Sequence, residues 1–204
     1  MPVELLLDII STHKLYFRRT DCYDDQKEAT LTLADEKTLH TSRFNEYWER
    51  ERKRHYVSCW IQANQELDYM WKVYSQNGVA IETTIGHLKQ SMIDDNEHIV
   101  YISKVQYIDF QTGSSQDNLT PINILKIPFT KSLEFSQENE IRLLYSVYDV
   151  DENNRPKSYK LPINLSKLFG RIITHRNLSQ QNKQAIKDAL QREQLIINIS
   201  DSTL

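Results

Sequence analysis

Val3, Leu6, Leu7 and Ile10 fall at i, i+3, i+4 and i+7, the apolar stripe of an amphipathic helix. Period two then takes over: in Lys14 to Arg18, Leu15 and Phe17 alternate with Tyr16 and Arg18, which predicts a short strand. An acidic loop, Asp21 to Glu28, leads into a polar helical stretch from about Asp35 to Arg54, where Phe44, Tyr47 and Trp48 share a face. His55 to Ile61 reads as a strand. Glu66 to Ser75 reads as a helix with Leu67, Met70, Trp71 and Tyr74 on its apolar side. Asn77-Gly78 marks a tight turn in which glycine supplies a positive φ. Val79 to Thr83 is a second strand, and Ile85, Leu88 and Met92 mark another helix.

Strands recur at Ile99 to Ser103, Val105 to Phe110 and Ile141 to Tyr148, and Gln111 to Asn118 is the most linker-like loop. The turn Asp151 to Pro156 predicts a hairpin between the Ile141 strand and Ser158 to Ile163. At the end, Arg171 to Thr174 reads as a strand, Ser179 as an N-cap, Gln180 to Glu193 as a helix and Leu195 to Ile199 as a strand. That spacing suits a βαβ crossover, with a hairpin-like return as the alternative. The expected fold is mixed α/β (α+β): a single domain over 1–204, with a mixed central sheet, flanking helices and a C-terminal strand–helix–strand.

Composition removes several function classes. The 204 residues carry 25 Lys+Arg against 28 Asp+Glu, a net charge of -3, which argues against a generic polyanion binder and gives no strong nucleic-acid signal. With 4 Gly the chain has no room for a P-loop or a dinucleotide-binding glycine motif. The 6 His and 2 Cys show no zinc spacing, so no zinc centre is expected and no residue is assigned as a metal ligand on that ground. No stretch approaches the roughly 18 apolar residues of a membrane span. Glu4 and Asp8 sit where a signal peptide needs a basic start, so the expected location is cytoplasmic, with Cys22 and Cys59 as reduced thiols.

Three groups of residues carry candidate chemistry. Asp21, Asp24, Asp25 and Glu28 in the acidic loop suit a Mg²⁺ site or a base with a raised pKa; the alternative is a solvated, helix-capping loop. Trp71 and Tyr74 suit a pocket wall on which a base stacks; the alternative is that both are core. Glu138, Glu140 and Arg142 would project from one face of a strand. Such a pair of carboxylates suits glycosyl transfer, one stabilising an oxocarbenium-like cation while the other orients the nucleophile; the alternative is a salt-bridged polar face.

Taken in order, the blocks K-L-Y-F with D-D-x-x-E, S-C-W-I with M-W-x-x-Y-S-x-x-G-V-A-I, S-x-E-N-E-I-R-L, and I-I-T-H with I-I-N-I-S-D-S-T-L resemble a family. It is a widespread bacterial family of cytoplasmic domains of unknown function. The resemblance puts the family's marked residues on Asp25, Glu28, Trp71, Tyr74, Gly78, Glu138, Glu140 and Arg142. Two departures stand out. The family's F-N-D-P is C-Y-D-D here, and the family usually opens on an earlier strand, which implies a shorter variant or a fragment. The order of blocks has a looser likeness to ADP-ribosyltransferase-like toxins. That likeness implies NAD as substrate, Glu140 and Glu138 as catalytic, Trp71 and Tyr74 stacking the base, and Arg18 or Arg142 on phosphate. The alternative is a non-enzymatic ligand-binding or accessory module in a stress or phage-response setting, in which the same polar cluster binds a ligand or orders the sheet; a small nucleotide is the candidate ligand.

Overall fold

The computed structural model describes residues 1–25, 27–39, 42–93, 98–113, 123–148, 151 and 154–204. Along the chain run α1 (Val3–Thr12), β1 (Lys14–Arg19), α2 (Leu33–Leu39), α3 (Ser42–Glu51), β2 (His55–Ile61), α4 (Asp68–Tyr74) and β3 (Val79–Glu82). Then come α5 (Ile85–Ser91), β4 (Val100–Lys104), β5 (Gln106–Ile108), β6 (Thr130–Ser132) and β7 (Glu140–Ser146). β8 (Ser158–Pro162), α6 (Leu165–Leu168), β9 (Arg171–Thr174), α7 (Gln180–Arg192) and β10 (Asn198–Asp201) complete the fold. Short 3₁₀ segments at Thr20–Cys22, Arg52–Arg54, Ile124–Phe129 and Leu133–Glu138 link them. The mixed α/β class follows from this order, and the strands fall into three sheets ordered β4-β7-β2-β1-β8, β10-β9-β3 and β5-β6.

The chain divides into two compact units: Met1–Leu15, Ala63–Asp95 and Lys160–Leu204 form the first, Tyr16–Gln62 and Asn96–Tyr159 the second. In the first unit α1 buries Val3, Leu6, Ile9 and Ile10 and stops at His13, whose left-handed φ of 52° lets its N–H reach Ile9 O. α1 packs on α7, which presents Ile186, Ala189 and Leu190. Ser179 caps α7 by accepting from Asn182 N–H, as its position ahead of the helix predicts. β9, α7 and β10 form the expected parallel strand–helix–strand, with Ile172 opposite Ile199. The last strand begins at Asn198 rather than Leu195, so the expected range is corrected by three residues.

Four further expectations need correction. Gly78 has no positive φ. Glycine is needed there because a Cβ would lie 2.2 Å from Met1 O and 2.1 Å from Ser75 Oγ. Glu66 precedes α4 rather than opening it, and its carboxylate accepts from Trp71 Nε1 and Ser202 Oγ. Tyr74 is 53% exposed, off the buried side that Trp71 occupies at 7%. Finally, β8 lies beside β1, so no hairpin joins β7 to β8. Alternation fixes which face a strand residue takes but not which strand is its neighbour.

In the second unit β7 runs antiparallel between β4 and β2, burying Leu143 and Leu144 completely. The long predicted helix from Asp35 to Arg54 is two helices and a 3₁₀ turn; residues 40 and 41 and the side chain of Phe44 lie outside the described residues. Trp48 from α3 is buried with Leu31 and Ile127, and its indole donates to Ala29 O at 2.8 Å. The predicted loop 111–118 is described only to residue 113, and the turn 151–156 only in part.

Candidate functional site

Strand pairing assembles a site in the second unit. On β7, Glu140 and Arg142 are two residues apart and share a face, as expected. Across the ladder Cys59 of β2 is opposite Arg142, and Ser103 of β4 flanks it on the other side. Arg18 of β1 is opposite Val57, so it stands on the same face one step from Cys59. Glu28 arrives from the acidic loop, where Asp25 Oδ1 accepts from Lys27 N–H and Glu28 N–H donates to Asp25 O. Ala29, at φ 51°, turns the chain just after it.

Arg142 is the centre of the cluster, 1% exposed, with every guanidinium N–H engaged. Nε and Nη2 donate to the two oxygens of Glu140 at 2.6 and 3.1 Å. Nη1 and Nη2 donate to the two oxygens of Glu28 at 2.5 and 3.0 Å, and Nη1 donates also to Pro128 O at 2.6 Å. Glu28 is 1% and Glu140 4% exposed. Lys131 adds a second cation, donating to Glu138 at 2.6 Å and lying 3.6 Å from Glu140. Glu138 itself is off the strand: it closes the 3₁₀ segment, and Asn139 at φ 43° turns the chain into β7. Tyr107 accepts the N–H of Glu140 at 2.8 Å.

Charges and burial set the protonation states. Burial alone would raise the carboxyl of Glu140, but Arg142 beside it outweighs that and holds it below the ordinary glutamate value. Arg142 is likewise held charged, burial being overcome by Glu28 and Glu140. Lys131 is raised by Glu138 and Glu140 against its own burial. The cluster is therefore a closed network of ionised groups, the condition under which buried charges are tolerated.

A more open rim adjoins it. Cys59 keeps accessible surface, yet the protein packed around its sulfur, and then the charge of Glu140, push the thiol well above its ordinary value, so it is neutral. The Tyr23 hydroxyl lies 3.6 Å from Cys59 Sγ and is raised by burial. Arg18 places its guanidinium 5.0 Å from the Tyr23 ring centre and donates to Cys22 O.

The sequence candidates are thus divided. Glu28, Glu138, Glu140, Arg142 and Arg18 stand in the second unit together with Asp24, which is exposed, and Asp25. Trp71 and Tyr74 stand in the first unit, where Trp71 is held by Glu66 and lies 5.2 Å from the His175 ring. Among the described residues no group of three or more His, Cys, Asp or Glu is placed to hold a metal ion. No described helix is long and apolar enough to cross a membrane. Sequence reasoning missed Lys131, Tyr107, Tyr23 and Cys59. Cys59 and Tyr107 lie on strands that the sequence predicts, at S-C-W-I and Val105 to Phe110, though nothing there marks them as site residues; Tyr23 and Lys131 reach the site through a loop and a 3₁₀–strand segment that have no periodicity.

No curated protein and no solved structure matches the chain. Residues 70–143 match a family described as a protein of unknown function, DUF2971, a stretch that takes in Trp71, Tyr74, Glu138, Glu140 and Arg142 and stops short of Asp25 and Glu28.

Proposed function

We propose that this chain is a ligand-binding module rather than a transferase, and that its ligand is a small nucleotide held by the rim of Arg18, Tyr23 and Cys59. The observation that carries this reading is the state of Glu140: both of its oxygens accept from Arg142 at 4% exposure. A glutamate that stabilises a ribose cation has to offer a free oxygen to the substrate. Here that would require Glu140 to leave Arg142, exposing a buried guanidinium to loss of its partner.

Arg18 supports the nucleotide class. It is exposed, and among the described residues no carboxylate pairs with it, so its remaining donors are open to a phosphate. The Tyr23 ring beneath it gives an aromatic surface next to that charge.

Two titrations test the reading. With ADP-ribose as probe, calorimetry on the wild type shows saturable binding, and Arg18→Ala weakens it about tenfold or more, the value of a lost charge-assisted hydrogen bond. With NAD and cell lysate, neither the wild type nor Glu140→Gln consumes NAD. Turnover by the wild type that Glu140→Gln abolishes would restore the ADP-ribosyl-transfer reading and displace this one.

A further inference from the structure

In the first unit β10 is an open sheet edge: it has β9 on one side and, among the described residues, no strand on the other. The opposite edge is closed. His175 N–H donates to Gly78 O at 3.0 Å, so the backbone groups of Val79 turn away from β9, and there Val79 N–H donates to Met1 O at 2.9 Å. On β10 the register fixes which groups are left over. Ser202 N–H donates to Thr174 O at 2.8 Å, so Asn198, Ser200 and Ser202 direct their backbone groups to β9. The N–H and C=O groups of Ile197, Ile199 and Asp201 point outward, without a partner among the described residues. A lysine, a proline or a bulge ordinarily guards such an edge. Asn198–Asp201 has neither lysine nor proline, and its one charge, Asp201, is paired with Lys183.

A groove follows this edge between β10 and α7. Its lining is buried Leu190, half-buried Ile197 and Ile199, exposed Lys187 and Gln194, and Ile196, which is fully exposed. A strand added beside β10 would satisfy the outward backbone groups and lay alternate side chains along the groove. A second copy of the chain fits that place by symmetry. A two-fold axis through Ile199 sets Ile199 against its own mate and Ile197 against the second copy's Asp201. All three outward residues then fall in hydrogen-bonded antiparallel pairs. The second copy's Asp201 comes to the groove that Lys187 lines, so opposite charges meet. The helices fit as well. α7 connects β9 to β10 and lies over that pair, so with strands about 4.8 Å apart its axis runs about 10 Å from its mate's, a packing distance for neighbouring helices. An isolated peptide strand would pair with the edge but leave this flank of α7 uncovered.

We propose that the chain pairs with a second copy of itself across β10, joining the two three-stranded sheets into one and packing α7 against its mate. The interface is isologous, so every contact is made twice. It uses none of Arg18, Tyr23 or Cys59, and its failure would leave the ligand-binding reading untouched.

The test is sedimentation of the full chain over a concentration series, with circular dichroism to check the fold of each variant. The wild type reaches twice the mass of the chain. Ile196→Asp, at a side chain fully exposed in the single chain, keeps the spectrum and raises the dimer dissociation constant about tenfold or more. Lys187→Glu turns attraction to the second copy's Asp201 into repulsion, twice over, and raises the constant about tenfold, less so in high salt. Ile199→Cys reads the register. A hydrogen-bonded antiparallel pair stands about 5.5 Å apart between Cα atoms, within disulfide reach, so mild oxidation links two chains. Asn198→Cys, off the axis, and the wild type with its own Cys22 and Cys59 link far more slowly. A wild type that stays monomeric throughout, including one that binds an extended apolar peptide at this edge instead, overturns the proposal. So does a dimer as tight in Ile196→Asp or Lys187→Glu as in the wild type, or Ile199→Cys linking no faster than Asn198→Cys.

Discussion

Replacing Arg142 with Met tests whether the central cluster is a closed ionic network. The substitution keeps much of the side-chain volume and removes a charge and the donors that satisfy Glu28, Glu140 and Pro128 O. It leaves two carboxylates, 1% and 4% exposed, facing each other with Lys131 as the remaining nearby cation. Removing one partner of a buried pair costs about 3–5 kcal/mol, a large share of the ~5–15 kcal/mol that stabilises a domain. Urea unfolding at pH 7.5, followed by circular dichroism, reads this directly as a lower midpoint. The pH dependence supplies the sharper check. In the wild type Glu140 has a lowered pKa, so its contribution is present above the ordinary glutamate value and is lost as pH falls through the folded value. In Arg142→Met the same carboxyl, buried without its cation, has a raised pKa; it favours folding when protonated and opposes it as pH rises. The deficit of the variant therefore narrows between pH 7.5 and 4.5. A deficit under about 1 kcal/mol at pH 7.5, or one that is unchanged at pH 4.5, would refute the network account. The triple variant Glu28→Leu, Glu140→Leu, Arg142→Met should recover most of the loss, because it removes the buried charges together.

Two further predictions rest on other parts of the fold. His55 is fully buried, its Nδ1 bonded to Ser146 Oγ at 2.8 Å and its Nε2 without a partner, and burial lowers its pKa to about 4. Below its unfolded pKa of 6.5 the unfolded chain takes the proton first, so stability falls from pH 6.5 to 4 by about 3 kcal/mol, and His55→Gln should lack that increment in a pH series of urea midpoints. Gly78→Ala puts a methyl group 2.2 Å from Met1 O and should cost about 1–3 kcal/mol by thermal unfolding, whereas the same change at Gly86, whose nearest neighbour is Thr84 Oγ1 at 3.7 Å, should be neutral or mildly stabilising.

What the sequence could tell about the fold was set by the range of the forces involved. α1, β1, β2, β9 and α7 are encoded by local periodicity and a local cap, and they stand where Val3–Ile10, Leu15–Phe17 and Ser179 put them. Neighbour choice in a sheet is a long-range matter. The turn before β8 is a good local hairpin signal, yet β8 finds its place beside β1, because alternation specifies a buried face and is silent on the partner. β6 and its flanking 3₁₀ segments were illegible for a simpler reason. Ile127 and Pro128 are buried from a segment whose backbone is neither period 2 nor period 3.6, so neither template can detect it.

The same distinction explains the site. Glu140 and Arg142 were legible as a pair because two residues on one strand face meet by construction. Glu28, 114 positions from Arg142 in sequence, joins them only through tertiary closure, and no spacing rule contains that distance. Yet it was chosen as a candidate, from a carboxylate-rich loop read as a metal or base site. Its residue type is legible in the sequence and its surroundings are not, since a carboxylate's chemistry is decided by what faces it. Facing water it caps a helix; facing a second carboxylate its pKa rises; facing a buried guanidinium it becomes half of a fixed ion pair. The geometry of Arg142 selects the third case. Function on this sheet face is therefore to be sought where a cation remains unspent, at Arg18 on the rim, and less at the carboxylates that first draw the eye.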